Sequence, residues 1–365
     1  MNVEHGEPAE GAVWAGVDTH ADSHWLCVLG ARGQVLESAR FAADAAGYDE
    51  LAAAIARCGE PAAVGVEGTA TYGAGLARRL AELGMPVWEV LAPGRAGRRP
   101  GARKSDPADA ERAARRAMSG EGLSVPKSRD GWVEALRPLL AARERLVRCS
   151  VEAANTALGI LRAAPEELRS RFAGLGSSAA AARALSEDAL AWELGPVAAA
   201  ALAAARALAE SWARSREAAR ALLREMEALL RANLPGLLAV RGCGPVSAAK
   251  LACAAGDNPG RLRSEGAFAA LCGACPVEAS SGRTARHRLN RGGDRRANSA
   301  LHEIARHRLM RDPATGAYAE RRRAEGLSDR EIMRCLKRYV AREVYRVIRA
   351  GSPGRAGRGG GLDSK

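Results

Sequence analysis

The chain has 365 residues, with 55 Lys and Arg against 42 Asp and Glu and a formal net charge of +13. That length is enough for a sizeable core and for two or three domains, and the excess of cations points to a polyanionic partner. No apolar run reaches the length of a membrane span, and the Ala-rich stretch 197–209 is broken by Arg206, which argues against a membrane partner.

The first part alternates strands and helices. Val13–Asp18 is an apolar run that reads as a buried strand, and His24–Leu29 reads as a second. Gly30–Gly33 makes a turn, and Gln34–Phe41 returns as a third strand. A helix is expected near Ala45–Arg57, a strand at Ala62–Glu67, a helix at Gly75–Leu83, a strand at Val87–Leu91 and a helix from Asp106. Three antiparallel strands followed by alternating helices and strands is the order of an RNase H-like fold. The expected fold class is therefore α/β followed by mainly helical regions.

Four acids fall at telling places in this order. Asp18 and Glu67 end apolar strands, and Asp106 and Asp109 lie three apart at the start of a helix, a spacing that shares one helix face. Carboxylates so placed can build an oxygen-rich cage for Mg²⁺, which polarises a phosphodiester and neutralises its transition state. Singly, each acid also has a structural reading: a strand-end acid serves as a turn residue, and Asp106 before Pro107 serves as an N-cap. Their joint order on β, β and α elements favours the metal site.

Between the last strand and its helix, Pro93–Lys104 carries Arg95, Arg98, Arg99, Arg103 and Lys104 and no acid. It is either a phosphate-contacting loop or a basic connector. Residues 130–232 show helical spacing over Trp132–Leu161 and Leu185–Leu230, with breaks at Pro165, Gly174–Ser178 and Gly195-Pro196. A helical hairpin or coiled coil that dimerises and a plain helical core both fit.

Residues 236–311 form a second block rich in chemistry. Val240–Leu251 has the shape of a helix-hairpin-helix turn, in which Gly242 and Gly244 would bring backbone N–H groups to a phosphate at a helix N-terminus. Ala267–Leu271 then leads through Gly273 and Pro276 into Ser280-Ser281-Gly282. Arg283, Arg286, Arg288, Arg291, Arg295 and Arg296 follow, and a helix is expected from Ser299. Asp329–Arg349 reads as a basic last helix, and the Gly/Arg-rich tail 351–365 as disordered. The charge is uneven: residues 1–50 hold nine acids and only Arg32 and Arg40 as cations, whereas 283–311 hold nine Arg against Asp294 and Glu303. Eight scattered cysteines fit a reducing cytosol, and the lone Cys272/Cys275 pair lacks the second pair that a structural zinc needs. The acidic, polar start Met1–Gly11 has no signal-peptide pattern, so a cytoplasmic protein is expected, nucleoid-associated where its polyanionic partner is DNA.

With these blocks in view, the chain resembles the DEDD-type insertion-sequence transposases of the IS one-ten family and the related pilin-gene invertases. One part of the resemblance is Gly16-Val17-Asp18, Val66-Glu67-Gly68-Thr69 with Tyr72-Gly73, and Lys104-Ser105-Asp106-Pro107-Ala108-Asp109-Ala110. The other is Arg241-Gly242-Cys243-Gly244-Pro245, Ser281-Gly282 and Arg291–Ala297. The resemblance implies a RuvC-like domain (12–125) that holds Mg²⁺ on Asp18, Glu67, Asp106 and Asp109. It further implies a helical dimerisation region (130–232) and a C-terminal transposase domain (236–350) with Ser281 as nucleophile. It implies cutting and rejoining of donor and target DNA through a serine-linked phosphate, guided by a structured bridge RNA. It also implies homodimers that pair into a tetramer, with sites composite between subunits. The basic-Gly-Asn block of the family reads Gly292-Gly293-Asp294 here, and Ser280 adjoins Ser281.

The chemistry has its own physical logic. A serine hydroxyl is a poor nucleophile at neutral pH and needs activation, which a metal and flanking arginines can give. Guanidinium groups clamp phosphate bidentately, so Arg283, Arg286, Arg288 and Arg291 suit that task. His287 is either a proton shuttle or an ordinary phosphate-contacting residue. The competing function is a RuvC-like nuclease or junction resolvase that hydrolyses with metal alone and needs no serine; an inactive RNA–DNA scaffold is the binding-only alternative.

Overall fold

The computed structural model describes residues 11–90, 105–187, 193–275 and 292–351, together with the backbone of 277–278 and 287–288. The chain divides into two compact units that part between Ser128 and Arg129.

The first unit is built on a six-stranded sheet. Its strands are β1 (Ala12–Thr19), β2 (Ser23–Leu29), β3 (Val35–Ala42), β4 (Glu60–Glu67), β5 (Val87–Val90) and β6 (Leu123–Ser124), in the order β3-β2-β1-β4-β5-β6. β1, β2 and β3 pair antiparallel, β4 and β5 join β1 in parallel, and β6 closes the edge antiparallel to β5. This is the RNase H-like arrangement that the sequence predicts, with β6 as an added edge strand. β1 is buried along its whole length, as a central strand covered on both faces must be. α1 (Ala45–Cys58) and α2 (Ala74–Glu82) cover one face, where Leu51, Ile55, Leu76 and Leu80 pack on Val13, Val17, Leu26 and Val64.

α3 (Asp106–Ser119) covers the other face with Ala110, Ala113, Ala114 and Ala117. The sequence permits an unusually close approach there. Gly16 and Gly65 are register partners on β1 and β4. A Cβ at Gly16 would stand 2.0 Å from the Ala114 backbone N, and one at Gly65 would stand 2.9 Å from the Ala113 carbonyl O. Glycines on the sheet and alanines on the helix thus let the two backbones lie almost in contact. Ser105, not Asp106, occupies the N-cap position, which places Asp106 in the first turn ahead of Pro107.

In the second unit, α4 (Trp132–Ala163) and α7 (Pro196–Asn233) run side by side in opposite directions. The start of α4, at Val133, Leu136 and Leu140, shares a core with Met226 and Leu230 at the end of α7. The end of α4, at Ala153, Ala157 and Leu161, shares another with Ala198, Leu202 and Ala205, onto which α5 (Glu166–Arg169) and α6 (Ser178–Glu187) also pack. Repeated alanines at helical spacing make that seam. The first of these cores continues into α8 (Pro235–Ala239), α9 (Pro245–Ala255), α10 (Glu265–Leu271), α11 (Arg295–Arg311) and α13 (Asp329–Ala350). α11 begins at Arg295, earlier than the expected Ser299, because the Asp294 side chain accepts from the Arg296 and Ala297 N–H groups as N-cap. A further helix, α12 (Pro313–Ala324), starts on Asp312, whose carboxylate accepts from Thr315 Oγ1 at 2.6 Å and pairs with Arg241.

A half-buried polar node ties α10, α11 and α13 together. Asn298 donates through Nδ2 to the carbonyls of Cys272 (2.8 Å) and Gly273 (3.1 Å), and Lys337 Nζ donates to Asn298 Oδ1 at 2.6 Å. Burial lowers the Lys337 pKa, with the nearby Cys272 thiol opposing that shift. The Asp294 N–H donates to the Leu271 carbonyl at 2.7 Å, and Gly293 lies against Gly273 so closely that a Cβ would fall 2.2 Å from its N. The chain therefore leaves α10 and returns to α11 at one pinned point. Short strands β7 (Val277–Glu278) and β8 (His287–Arg288) pair antiparallel between those points in sequence.

Candidate metal centre

The acids converge at the end of the sheet where β1 and β4 stop and α3 starts. Asp18 lies one residue before the end of β1 and is almost fully buried; Glu67 is the last residue of β4. Thr19 Oγ1 donates to the Glu67 carbonyl at 2.8 Å, which holds the two strand ends together. The first turn of α3 supplies Asp106, half exposed, and Asp109, buried and paired with Arg112 Nη2 at 2.5 Å.

His20 joins them. Its Nε2 stands 3.2 Å from Asp18 Oδ2 and 3.2 Å from Asp106 Oδ1. Donor atoms of Asp18, His20 and Asp106 all lie within 4.8 Å of one another, a grouping that can hold a metal ion. Glu67 and Asp109 are not members of that group, but Glu67 feels its neighbours. Burial first, then the charges of Asp18 and Asp109, push its carboxyl pKa up, while Arg112 and Arg116 pull it down. Glu67 Oε1 is buried and, among the described residues, has no hydrogen-bond partner. A buried carboxylate oxygen without a donor, facing two more carboxylates, is unfavourable in a folded protein unless a proton or a cation neutralises it. The residues present therefore fit a divalent ion.

The site opens onto a groove of about 440 Å³ whose lining includes His20, Asp106, Arg40 and Tyr72. Tyr72 is exposed, and Arg40 supplies a cation at the groove. The sequence reading passed over His20, Arg40 and Tyr72 as site residues. His20 had one available signal: two residues after Asp18 along an extended chain, its side chain projects on the same side.

The C-terminal residues expected to touch nucleic acid are placed in part. Gly242 has φ +79 and docks the hairpin turn on α11, with a Cβ there only 3.2 Å from the Ile304 carbonyl; a Cβ at Gly244, the N-cap of α9, would meet nothing within 4 Å. Arg295 and Arg296 are exposed in the first turn of α11, and Arg296 pairs with Glu144, which also takes Lys250. Ser280 and Ser281 lie outside the described residues. So do Arg95, Arg98, Arg99, Arg103, Lys104, Arg283, Arg286 and Arg291, the tail 352–365, and the side chains of His287 and Arg288. Among the described residues, no helix is long and apolar enough to cross a membrane.

A family model for DEDD transposases of the IS110 type matches residues 15–164, and the model described as Transposase IS116/IS110/IS902 family matches residues 235–320. No curated protein matches the chain. One match spans the acid-bearing sheet and the first long helix, the other the hairpin turn through α11 into α12, and on these grounds the chain belongs to the IS110 family of DEDD transposases.

Proposed function

We propose that this transposase cuts and rejoins DNA through a phosphoserine intermediate, with Ser281 as nucleophile and Mg²⁺ held by Asp18, Glu67, Asp106 and Asp109. The observation that carries the proposal is the buried, donorless Glu67 Oε1 beside Asp18 and Asp109, whose negative charge calls for a cation. When bound, Mg²⁺ would neutralise the scissile phosphate and the charge that develops on it.

The chain's own residues do the rest. The Ser281 hydroxyl attacks the phosphorus; the bond to the leaving DNA oxygen breaks, and that oxygen takes up the proton released by the serine. The phosphoserine ester keeps the bond energy, so a DNA hydroxyl can attack it later and restore a phosphodiester without ATP. Arg283, Arg286, Arg288 and Arg291 clamp the phosphate, and Arg95, Arg98, Arg99, Arg103 and Lys104 track the backbone. Arg295, Arg296 and the N–H groups at Gly242 and Gly244 add contacts. A net charge of +13 supports a nucleic-acid partner of this size.

In this reading, residues 12–125 form the metal-binding domain, 130–232 the dimerisation region and 236–350 the serine-bearing domain. Donor and target DNA are selected by base pairing to a bridge RNA, the protein contacts backbone, and dimers pair into a tetramer with composite sites. The enzyme works in the cytoplasm on nucleoid DNA. The test is strand transfer with Mg²⁺, labelled donor and target DNA and RNA transcribed from the element's flanks, resolved on denaturing protein gels. A covalent adduct that needs RNA and is lost in Ser281→Ala supports the proposal. Nicking that survives Ser281→Ala but fails in Asp106→Ala overturns it in favour of a metal-only nuclease.

A further inference from the structure

We infer that His20 is a direct ligand of the cation at this site, making it a mixed nitrogen–oxygen centre that takes Mn²⁺ in preference to Mg²⁺. The inference rests on the reading of Asp18 and Asp106 as cation ligands given above. Its basis is the position of one atom. His20 Nε2 stands 3.2 Å from a carboxylate oxygen on each side of it, Asp18 Oδ2 and Asp106 Oδ1. A single ring nitrogen offers one proton or one lone pair, so it cannot serve both oxygens as a donor. Among the described residues, Nε2 is buried and makes no hydrogen bond of sound geometry.

The spacing is that of ligands. Adjacent donors on an octahedral ion with bonds of about 2.1–2.2 Å stand about 3 Å apart, close to both separations here. The donors also come from rigid places. Asp18 is in the central strand, His20 follows it on the same side, and Asp106 is in the first turn of a helix packed on that strand. The ring is partly open toward the groove, which leaves room for phosphate or water on the ion.

Nitrogen changes the preference of the centre. Mg²⁺ strongly favours oxygen and keeps its water, whereas imidazole is a good ligand for later divalent ions, and Mn²⁺ accepts nitrogen while retaining octahedral carboxylate chemistry. The side chain that distinguishes this site from an all-oxygen cage is therefore His20.

Pulsed electron paramagnetic resonance of Mn²⁺ added to the metal-free full-length protein tests this, together with Mn²⁺ and Mg²⁺ affinities by titration and competition. The wild type is expected to show ¹⁴N coupling to bound Mn²⁺. His20→Ala and His20→Gln are expected to lose that coupling and about ten-fold or more in Mn²⁺ affinity, with Mg²⁺ affinity changed by less than about three-fold. Thermal melts of both variants establish that they are folded. Bound Mn²⁺ without nitrogen coupling in the wild type, or equal Mn²⁺ affinity in a folded His20 variant, overturns the inference while leaving the acid site intact. No Mn²⁺ binding in the wild type, or undiminished binding in Asp18→Asn, overturns the acid site itself and the inference with it.

Discussion

A single methyl group at Gly16 is expected to separate the acids that make the centre. The Cβ of Gly16→Ala would stand 2.0 Å from the Ala114 N, 2.3 Å from the Ala110 carbonyl O and 2.7 Å from the Ala113 carbonyl C. All three are backbone atoms of α3, so no side chain can turn aside. Restoring ordinary van der Waals contact, which begins at 3.4 Å, takes a displacement of about 1.4 Å between helix and sheet. Asp106 and Asp109 ride on the helix, Asp18 and Glu67 on the sheet. The two pairs of carboxylates move apart with their supports. Sites of this kind must hold their groups to about 0.5 Å, and a misplacement of about 1 Å costs on the order of 100-fold in rate. Overpacking of a tight interior also costs about 1–3 kcal/mol of stability. Urea denaturation and cation-dependent strand transfer measure the two effects. Gly159→Ala is the control, because a Cβ there meets nothing within 4 Å and it lies inside α4; up to about 1 kcal/mol of added stability is expected from helix propensity. A Gly16→Ala protein with the wild-type denaturation midpoint and full activity would refute the close-approach argument.

Three further outcomes follow from the same structure. Glu67 has a raised pKa in the fold, so between 4.5 and that raised value the folded state binds more protons than the unfolded one; metal-free stability therefore falls as pH rises through this window. Glu67→Gln is expected to flatten that dependence and raise the melting temperature in chelator at pH 7, yet to lose the stabilisation that added Mg²⁺ gives the wild type; melts at several pH values with and without Mg²⁺ check both signs. Lys337→Met leaves Asn298 Oδ1 without its donor at the pinned point between α10 and α11, with an expected loss of about 1–3 kcal/mol in urea unfolding and faster amide exchange at Cys272–Ala274; unchanged exchange there would show that the node pins nothing. Asp257→Ala removes the carboxylate that accepts from the Val133 N–H at 2.8 Å and the Glu134 N–H at 3.2 Å, so the start of α4 loses its cap and the protein loses about 1 kcal/mol by denaturant titration.

What the sequence made legible, and what it hid, follows from the range of each signal. β1, β2 and β4 are apolar runs long enough to announce themselves, and α4 and α7 repeat their apolar positions over many turns. β6 is too short to show a period, and it exists because β5 offers it an edge. α12 buries Ala319 as its one buried residue, which leaves little helical pattern to read. The start of α11 was hidden because Asp294-Arg295-Arg296 reads as a polar loop until the Asp294 side chain is seen to cap the helix. Asp18, Glu67, Asp106 and Asp109 could be picked out because strand ends and helix starts are local features. His20 had only its place two residues after Asp18 to mark it, because its second partner, Asp106, is distant in sequence and only the packing of α3 on β1 brings it near. The Gly16 and Gly65 pair was equally silent, since a glycine in a strand acquires its meaning from the helix laid across it.

The most direct test of the central claim is to trap the reaction on DNA with Mg²⁺ and guide RNA, digest the protein and locate the nucleotide-bearing peptide by mass spectrometry. A nucleotide phosphoester on Ser281 is expected, absent from Asp106→Ala protein treated in the same way. DNA cut to hydrolysed ends with no modified peptide, or an adduct formed equally by Asp106→Ala, would contradict it.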